Sequence, residues 1–188
     1  MNLEEQIRNY KPYNEQEEKD KQVMLKYIHT FKDVLTRNNE FGHFTASSWV
    51  VNKQKTKVLL IYHNIYQSWA WTGGHADGEE NLLNTAIREL KEETGIEHVK
   101  ILKDDIFSLE IIHVQGHIKN EKYVSPHVHL NLTYLLEADE KETLKIKEDE
   151  NSGVKWVDIK EVEKMSNESW MIENVYKKLN EKLEKMKL

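Results

Sequence analysis

Residues 74–96 read GHADGEENLLNTAIRELKEETGI, and the second half of this stretch has the pattern of a helix. Its apolar residues recur at the spacing of one helical face: Leu82, Leu83, Ala86, Ile87 and Leu90. Glu89, Glu92 and Glu93 stand at positions i, i+3 and i+4, so their side chains project close together beside that apolar stripe. Each like-charged pair costs a helix roughly 0.2 to 0.5 kcal/mol. The acidic group is therefore either a solvated face or a binding site for a cation.

Nine positions of the stretch satisfy one pattern of fixed residues at fixed spacing. They are Gly74, Glu80, Arg88, Glu89, Leu90, Glu92, Glu93, Gly95 and Ile96. From ordinary residue frequencies, a chance match is on the order of one in ten million per chain of this size. The pattern is the Nudix box, and the chain resembles a Nudix hydrolase. The order of strands and helices from about residue 41 to residue 165 is compatible with that family's fold.

The resemblance implies an α/β fold, an α/β/α sandwich with a mixed sheet, and a metal-dependent chemistry. In the family pattern, Glu89, Glu92 and Glu93 bind metal ions, and the backbone carbonyl of Gly74 adds a further ligand. Magnesium prefers oxygen ligands and keeps several waters, so a few helical carboxylates and substrate phosphates suit it. We expect Mg²⁺, with Mn²⁺ as a substitute. The implied reaction is hydrolysis of a diphosphate linkage in a nucleoside-diphosphate-X type substrate, by water attack on phosphorus.

Two further box residues have implied supporting roles. Arg88 and Glu80 match the positions that orient the metal-binding carboxylates, and Arg88 is counted among the catalytic residues. A pair between Arg88 and Glu92 at i, i+4 is also an ordinary surface ion pair of a helix. The full box favours the functional interpretation.

The proton acceptor for the attacking water is less constrained by the box. Glu150 lies six residues before Trp156, in a predicted loop ahead of a strand, and this placement is similar to the later-loop glutamate of several family members. We predict Glu150 as the base. Its neighbours Glu148 and Asp149, or Glu89 on the box helix, could do the same work, and a solvated acidic loop is the alternative.

Composition narrows the functional classes. The chain has 188 residues, 27 basic and 33 acidic, and a formal net charge of −6, with no basic patch for a nucleic acid duplex. It has no cysteine, so any metal must be held by carboxylates, histidines or carbonyl oxygens. No apolar run is long enough to cross a bilayer, and the first residues are acidic. We expect a cytoplasmic enzyme with a small-molecule diphosphate substrate and no membrane partner.

Three regions are predicted along the chain. Residues 1–40 form an N-terminal helical extension, residues 41–165 the Nudix domain, and residues 166–188 a C-terminal helix packed on it. Asn14 followed by Glu17 is typical of a helix start. Between the end helices, the patterns predict a strand hairpin over FTASSWVVN and TKVLLIYH, a loop leading into the box helix, and two long strands around the turn KNEK. The end helices either pack on the domain or form a homodimer.

Histidines and tryptophans are the remaining candidates for substrate contacts. His113 and His117, and His127 and His129, each share a strand face, and a three-residue turn would bring both pairs to one side. Such a group could bind a transition metal, contact substrate phosphates or line a polar cleft. We predict substrate contacts for His127 and His129.

Two tryptophans come just before the box. Trp69 and Trp71 could stack on a ring of the substrate, and packing in the core is the alternative for both.

Two other functions have to be compared with hydrolysis. An isopentenyl diphosphate isomerase shares the fold but uses a catalytic cysteine, which this chain lacks. A non-catalytic Nudix sensor domain would bind its ligand without turnover, but such modules can lose box acids, whereas this box is complete.

Overall fold

The structure is a computed structural model that describes residues 1–119 and 121–186. Its strands are β1 Gly42–Val51, β2 Lys57–His63, β3 Ser68–Ala70, β4 Thr72–His75, β5 Val99–Ile101, β6 Ser108–Val114, β7 His117–Lys119, β8 Lys122–Val124, β9 His127–Ala138 and β10 Asn151–Asp158. Its helices are α1 Leu3–Asn9, α2 Glu15–Thr30, α3 Leu82–Thr94, α4 Val162–Met165, α5 Ser169–Met171 and α6 Lys177–Lys185. A 3₁₀ turn, Ile159–Glu161, precedes α4, and a π turn, Ile172–Tyr176, joins α5 to α6.

The main sheet is mixed. Its strands lie in the order β10-β2-β1-β9-β5, while β3 pairs with β2, β4 with β1 and β6 with β9. β1 and β9 run parallel, and the other pairs in this sheet are antiparallel. The parallel register places His43 beside His129. The β7–β8 hairpin forms a separate small sheet.

Helix α3 packs on one face of the sheet because its apolar stripe meets the strands there. Leu82, Ala86 and Leu90 are buried against residues of β1 and β9. The Asn81 side chain caps the first turn by accepting from the Leu83 amide at 3.2 Å. Gly95 ends the helix in a left-handed conformation, with φ of 75°, which favours glycine.

The end helices pack on the same molecule. Ile7 of α1 and Met24 of α2 belong to the core on the α3 side. On the opposite face, Tyr176 and Leu179 of the C-terminal helix pack against Trp49 of β1. Helices therefore cover both faces of the sheet, which confirms the α/β/α sandwich. No helix among the described residues is long and apolar enough to span a bilayer.

Several local predictions are confirmed. The box helix begins and ends where its caps predict, Asn14 caps α2 by accepting from the Glu17 amide, and β1 and β2 are antiparallel. The predicted C-terminal helix is present from Ser169, and its last residues, 187–188, lie outside the described part of the chain.

Other predictions were wrong in their details. Helix α1 and strand β5 were missed, and the segment before the box helix, predicted as a loop, contains β3 and β4. The two long strands are each interrupted, at residues 115–116 and 125–126, where Gly116 and Pro126 interrupt the strand pattern. The predicted turn KNEK includes Asn120, which lies outside the described residues.

Candidate active site

The acidic end of α3 lies against strand β4. The Gly73 amide donates a hydrogen bond to Glu93 Oε2 at 3.0 Å, and Glu93 is only 2% exposed. A Cβ atom at Gly74 would collide with the carboxyl group of Glu89, so only glycine lets the backbone approach that group. Two box carboxylates and the backbone of Gly74 are thus held together at one place.

The surroundings of Glu93 disfavour the ionised form of its carboxyl group. Burial raises the pKa of Glu93 well above its ordinary value of 4.5, and repulsion from Glu89 and Glu150 adds to the effect, against the opposing hydrogen bond from Gly73. A cation among these carboxylates would remove the repulsion. Carboxylate and carbonyl oxygens are the ligands that a hard divalent ion prefers, so the donor set fits Mg²⁺ or Mn²⁺.

Arg88 contacts the same group from the helix surface. Its Nη2 lies 2.8 Å from Glu89 Oε1 and 3.4 Å from the carbonyl oxygen of His75, and its Nε lies 3.9 Å from Glu92 Oε1. The guanidinium therefore joins α3 to the end of β4 and fixes the direction of the Glu89 carboxylate. Glu80, the other residue predicted to orient the group, is exposed ahead of α3.

The loop before β10 brings a second set of charges to the box. Lys147 Nζ lies 3.0 Å from Glu92 Oε2 and 3.2 Å from Glu150 Oε2. Burial tends to lower the pKa of Lys147, but its hydrogen bonds to the two carboxylates outweigh burial and raise it. Glu148 and Asp149 are exposed. Repulsion from Glu150 contributes to the raised pKa of Glu93.

Sequence reasoning missed Lys147 as a member of the site. The residue lies 54 positions after Glu93 in a charged segment, and nothing in the local pattern distinguishes it from its neighbours. Its position depends on how the loop folds back on α3. The Lys145 amide donates to the Thr94 carbonyl at 2.8 Å, and this contact holds the loop against the helix end.

A cavity of about 320 Å³ lies beside the box, on the face of β1 and β9 opposite helix α3. Its lining includes His43, His75, His117, His127 and His129. Burial lowers the pKa of His129 well below its ordinary value, and the neighbouring histidines add to the effect. Since His75 directly follows Gly74, the cavity and the acidic group share one strand.

The predicted grouping of four histidines was wrong for His113. In the β6–β9 register His113 pairs with Val128, so its side chain lies on the opposite face from His127 and His129, and it is exposed. His43 and His75 take part instead. Sequence reasoning missed both, because only the pairing of β1 with β4 and β9 brings them to this face.

The two tryptophans lie in different surroundings. Trp71 is 9% exposed and packs edge-on against Tyr176 in the core, the alternative left open by its sequence. Trp69 is partly buried, with Lys155 Nζ 4.1 Å from its ring centre and Tyr62 at its edge.

Comparison with known proteins identifies the family. A model described as "NUDIX domain" matches residues 42–179, most of the chain and part of its C-terminal helix. The chain belongs to the Nudix family. An "RNA pyrophosphohydrolase" of Pelagibacter ubique is 30% identical over 141 residues, which are 73% of this chain and 88% of the relative. A "Probable DHNTP pyrophosphohydrolase" of Lactococcus lactis is 34% identical over 90 residues, which cover 47% of this chain and only 51% of that relative.

Solved structures show the same Nudix fold. A Nudix hydrolase from Clostridium perfringens superposes with a TM-score of 0.53 at 22% identity, over 76% of this chain and 96% of the other. An Ap4A hydrolase of C. elegans gives a TM-score of 0.54 at 20% identity, over 75% and 94% of the two chains. The fold prediction is thus confirmed, and this Nudix chain is a hydrolase of the class that cleaves diphosphate linkages.

Proposed function

We propose that this Nudix chain is a magnesium-dependent hydrolase of a small nucleoside-diphosphate-X type substrate, with Mn²⁺ as a substitute metal. The observation that carries the proposal is the buried carboxyl group of Glu93, which lies beside Glu89. The backbone of Gly74 comes so close to the Glu89 carboxylate that a side chain at this position would collide with it. A buried acidic group of this kind is costly without a cation.

Glu89, Glu92, Glu93 and the Gly74 carbonyl would hold the metal. When bound, it would neutralise the charge of the diphosphate and lower the pKa of a bound water. The Gly73 amide fixes one oxygen of Glu93, and Arg88 fixes one oxygen of Glu89. These contacts keep the carboxylates in place before the substrate arrives.

Glu150 is the proposed proton acceptor. It lies on the loop that closes over the end of α3, and its carboxylate would accept the proton of the attacking water. Lys147 Nζ lies 3.2 Å from Glu150 Oε2, and its ammonium group can contact a phosphate oxygen of the substrate. Arg88 and the exposed Glu80 are proposed to support the box carboxylates rather than to exchange protons.

The named relatives support the reaction class but no single substrate. One is called an RNA pyrophosphohydrolase, one a DHNTP pyrophosphohydrolase and one structural neighbour an Ap4A hydrolase. These names share the cleavage of a phosphoanhydride and differ in the group attached to it. The net charge of −6 favours a small substrate, bound with metal ions, over a nucleic acid duplex.

The test is a panel of nucleoside diphosphate and triphosphate derivatives, sugar nucleotides and coenzymes, assayed with Mg²⁺ and with Mn²⁺. Hydrolysis in heavy-oxygen water shows which phosphorus is attacked. We expect Glu93→Gln to abolish turnover while circular dichroism stays unchanged, and the exposed Glu97→Gln to keep the wild-type rate. Wild-type turnover by Glu93→Gln would refute the metal assignment.

A further inference from the structure

Histidines from three strands meet in the cavity beside the acidic group. His43 lies on β1, His75 on β4, and both His127 and His129 on β9. The parallel register sets His43 next to His129, and the antiparallel register sets His75 next to Thr45, which shares its strand face with His43. The pairing of the backbones therefore fixes which rings face each other.

The spacing of these rings is that of ligands around one ion. Nitrogen atoms of His43, His75 and His129 all lie within 4.8 Å of one another, and His127 Nε2 lies 3.2 Å from His129 Nε2. Five ring pairs in the group have centre-to-centre distances between 4.9 and 5.2 Å. Around a tetrahedral zinc ion, neighbouring nitrogens are about 3.3 Å apart and imidazole centres about 5 Å apart.

Hydrogen bonds behind two rings show which nitrogen carries the lone pair, and in His127 that nitrogen is within hydrogen-bond distance of His129 Nε2. His43 Nδ1 lies 3.1 Å from the carbonyl oxygen of Asn39, and His127 Nδ1 lies 2.8 Å from that of Ser125. Because a carbonyl oxygen only accepts, each Nδ1 carries a proton, and in the neutral ring Nε2 keeps its lone pair. A carbonyl that fixes the tautomer in this way is the usual support of a metal-binding histidine.

The Nε2 atom of His43 is the second indication of a ligand. His43 is 4% exposed, and within residues 1–119 and 121–186 its Nε2 has no hydrogen-bond partner. A buried polar atom without a partner loses its hydration and gains nothing in return, which destabilises the fold. A metal ion would satisfy this atom, whereas a phosphate would meet the lone pairs of His43 and His127 and be repelled.

We propose that His43, His75 and His129, with His127 as the fourth ligand, form a site for a divalent transition metal, with zinc as the first expectation. Imidazole suits zinc and its neighbours in the first transition row, whereas the box offers oxygen ligands to magnesium. The two sites are thus separated by ligand chemistry. An ion held here would join β1, β4 and β9 and fix the backbone of β4 beside Gly74.

Zinc binding to the full chain, freed of any histidine tag and stripped with a chelator, tests the proposal. Calorimetry with zinc chloride is done in the Glu93→Gln background with excess magnesium, so that the box cannot provide the site. We expect one zinc per chain, a higher melting temperature, and the visible spectrum of tetrahedral cobalt when Co²⁺ replaces zinc.

Single substitutions locate the site. Loss of the hydrogen-bond partner behind a metal ligand weakens metal binding by roughly 10- to 100-fold. His43→Gln and His129→Gln each remove a ligand itself, so each should weaken zinc binding by more than that. His113→Gln is the matched control, because His113 is exposed on the opposite strand face. Two buried positions are used so that one misfolded variant, detected by circular dichroism, does not end the test.

Two results would overturn the proposal. One is the failure of the Glu93→Gln protein to bind stoichiometric zinc, and the other is unchanged binding in either folded histidine variant. Neither result concerns hydrolysis, since turnover with magnesium depends on the box carboxylates. The zinc site and the proposed reaction can therefore fail independently.

Discussion

The side chain of Asn151 donates a hydrogen bond to the backbone carbonyl of Glu93 at 2.9 Å, and Asn151 is fully buried. Carbonyl groups in the last turn of a helix have no partner within the helix. Asn151 satisfies one of them and so joins the start of β10 to the end of α3. Glu150, the proposed base, is the residue next to this contact.

Asn151→Ala should therefore impair both stability and catalysis. We expect a loss of about 1–3 kcal/mol in the free energy of unfolding, since the carbonyl of Glu93 stays buried without its partner. Turnover should fall more than substrate affinity, because Glu150 loses its fixed position. Asn174→Ala is the control: it removes an exposed bond of the same type, from Asn174 Nδ2 to the Trp170 carbonyl at 2.9 Å, and should leave turnover unchanged. Equal turnover in the two variants would contradict this role.

Lys147 would compete with a bound metal ion for the carboxylate of Glu92. Its ammonium lies between Glu92 and Glu150. We expect the Lys147→Met protein to bind Mn²⁺ more tightly, because the acidic group loses its internal cation. We also expect a higher KM, because Lys147 is proposed to contact a phosphate of the substrate. Calorimetry and steady-state kinetics measure the two effects. Lys145→Met changes the net charge equally at an exposed position and should alter neither value. Weaker Mn²⁺ binding in Lys147→Met would show that the lysine organises the site instead.

The box helix and the grouping of its acids could be predicted because they depend on residues close in sequence. Asn81 and Gly95 set the ends of α3, and helical spacing alone groups Glu89, Glu92 and Glu93. The position of Lys147 depends on a loop folding back on that helix. The histidine group could not be predicted for a similar reason: the parallel pairing of His43 with His129 joins strands far apart in the chain.

Interruptions of strands were a second source of error. The sequence IFSLEIIHVQGHI, residues 106–118, predicts one strand, yet the chain forms β6 and β7 with a break between them. That break lets β7 pair with β8 instead of β9. Because His113 lies on β6 and His117 on β7, their spacing in the sequence does not place them on one face. The β6–β9 register decides the face on which His113 lies.

Gly74 provides a test of the close approach between β4 and α3. Gly74→Ala would place a methyl group against the Glu89 carboxylate, which must then move. We expect weaker Mg²⁺ binding and a loss of turnover on the order of 100-fold, the size of effect that a 1 Å misplacement produces. Gly153→Ala is the comparison, since its methyl group would meet the edge of the Trp69 ring at 3.0 Å and Tyr62 Cβ at 3.4 Å rather than a carboxylate. Wild-type turnover in Gly74→Ala would show that the position of Glu89 is not critical.

A buried charge network holds both end helices to the sheet. Lys178 Nζ lies 3.1 Å from Glu110 Oε1 and 3.4 Å from Glu17 Oε1, and Lys182 Nζ lies 2.8 Å from Glu17 Oε1. Lys178→Met leaves the carboxylate of Glu110 buried without a cation, and we expect it to lower the free energy of unfolding by about 3–5 kcal/mol. Lys177→Met, at a partly exposed neighbouring position that pairs with Glu173, should cost less than about 1 kcal/mol. Denaturant unfolding of the two variants measures the difference, and equal losses would contradict the network's role.

The same network makes stability depend on acid. Burial by itself raises the pKa of Glu17, but the ammonium groups of Lys182 and Lys178 outweigh burial and lower it below the ordinary value of 4.5. A lowered pKa means that the stabilisation by Glu17 is fully present above pH 4.5 and is lost as the pH falls through the folded-state pKa. Glu17→Gln should therefore be less stable than the wild type at neutral pH, and the difference should shrink below pH 4.5. Denaturant unfolding across this range provides the measurement, and a difference that stays constant with pH would show that Glu17 is not ionised in the folded chain.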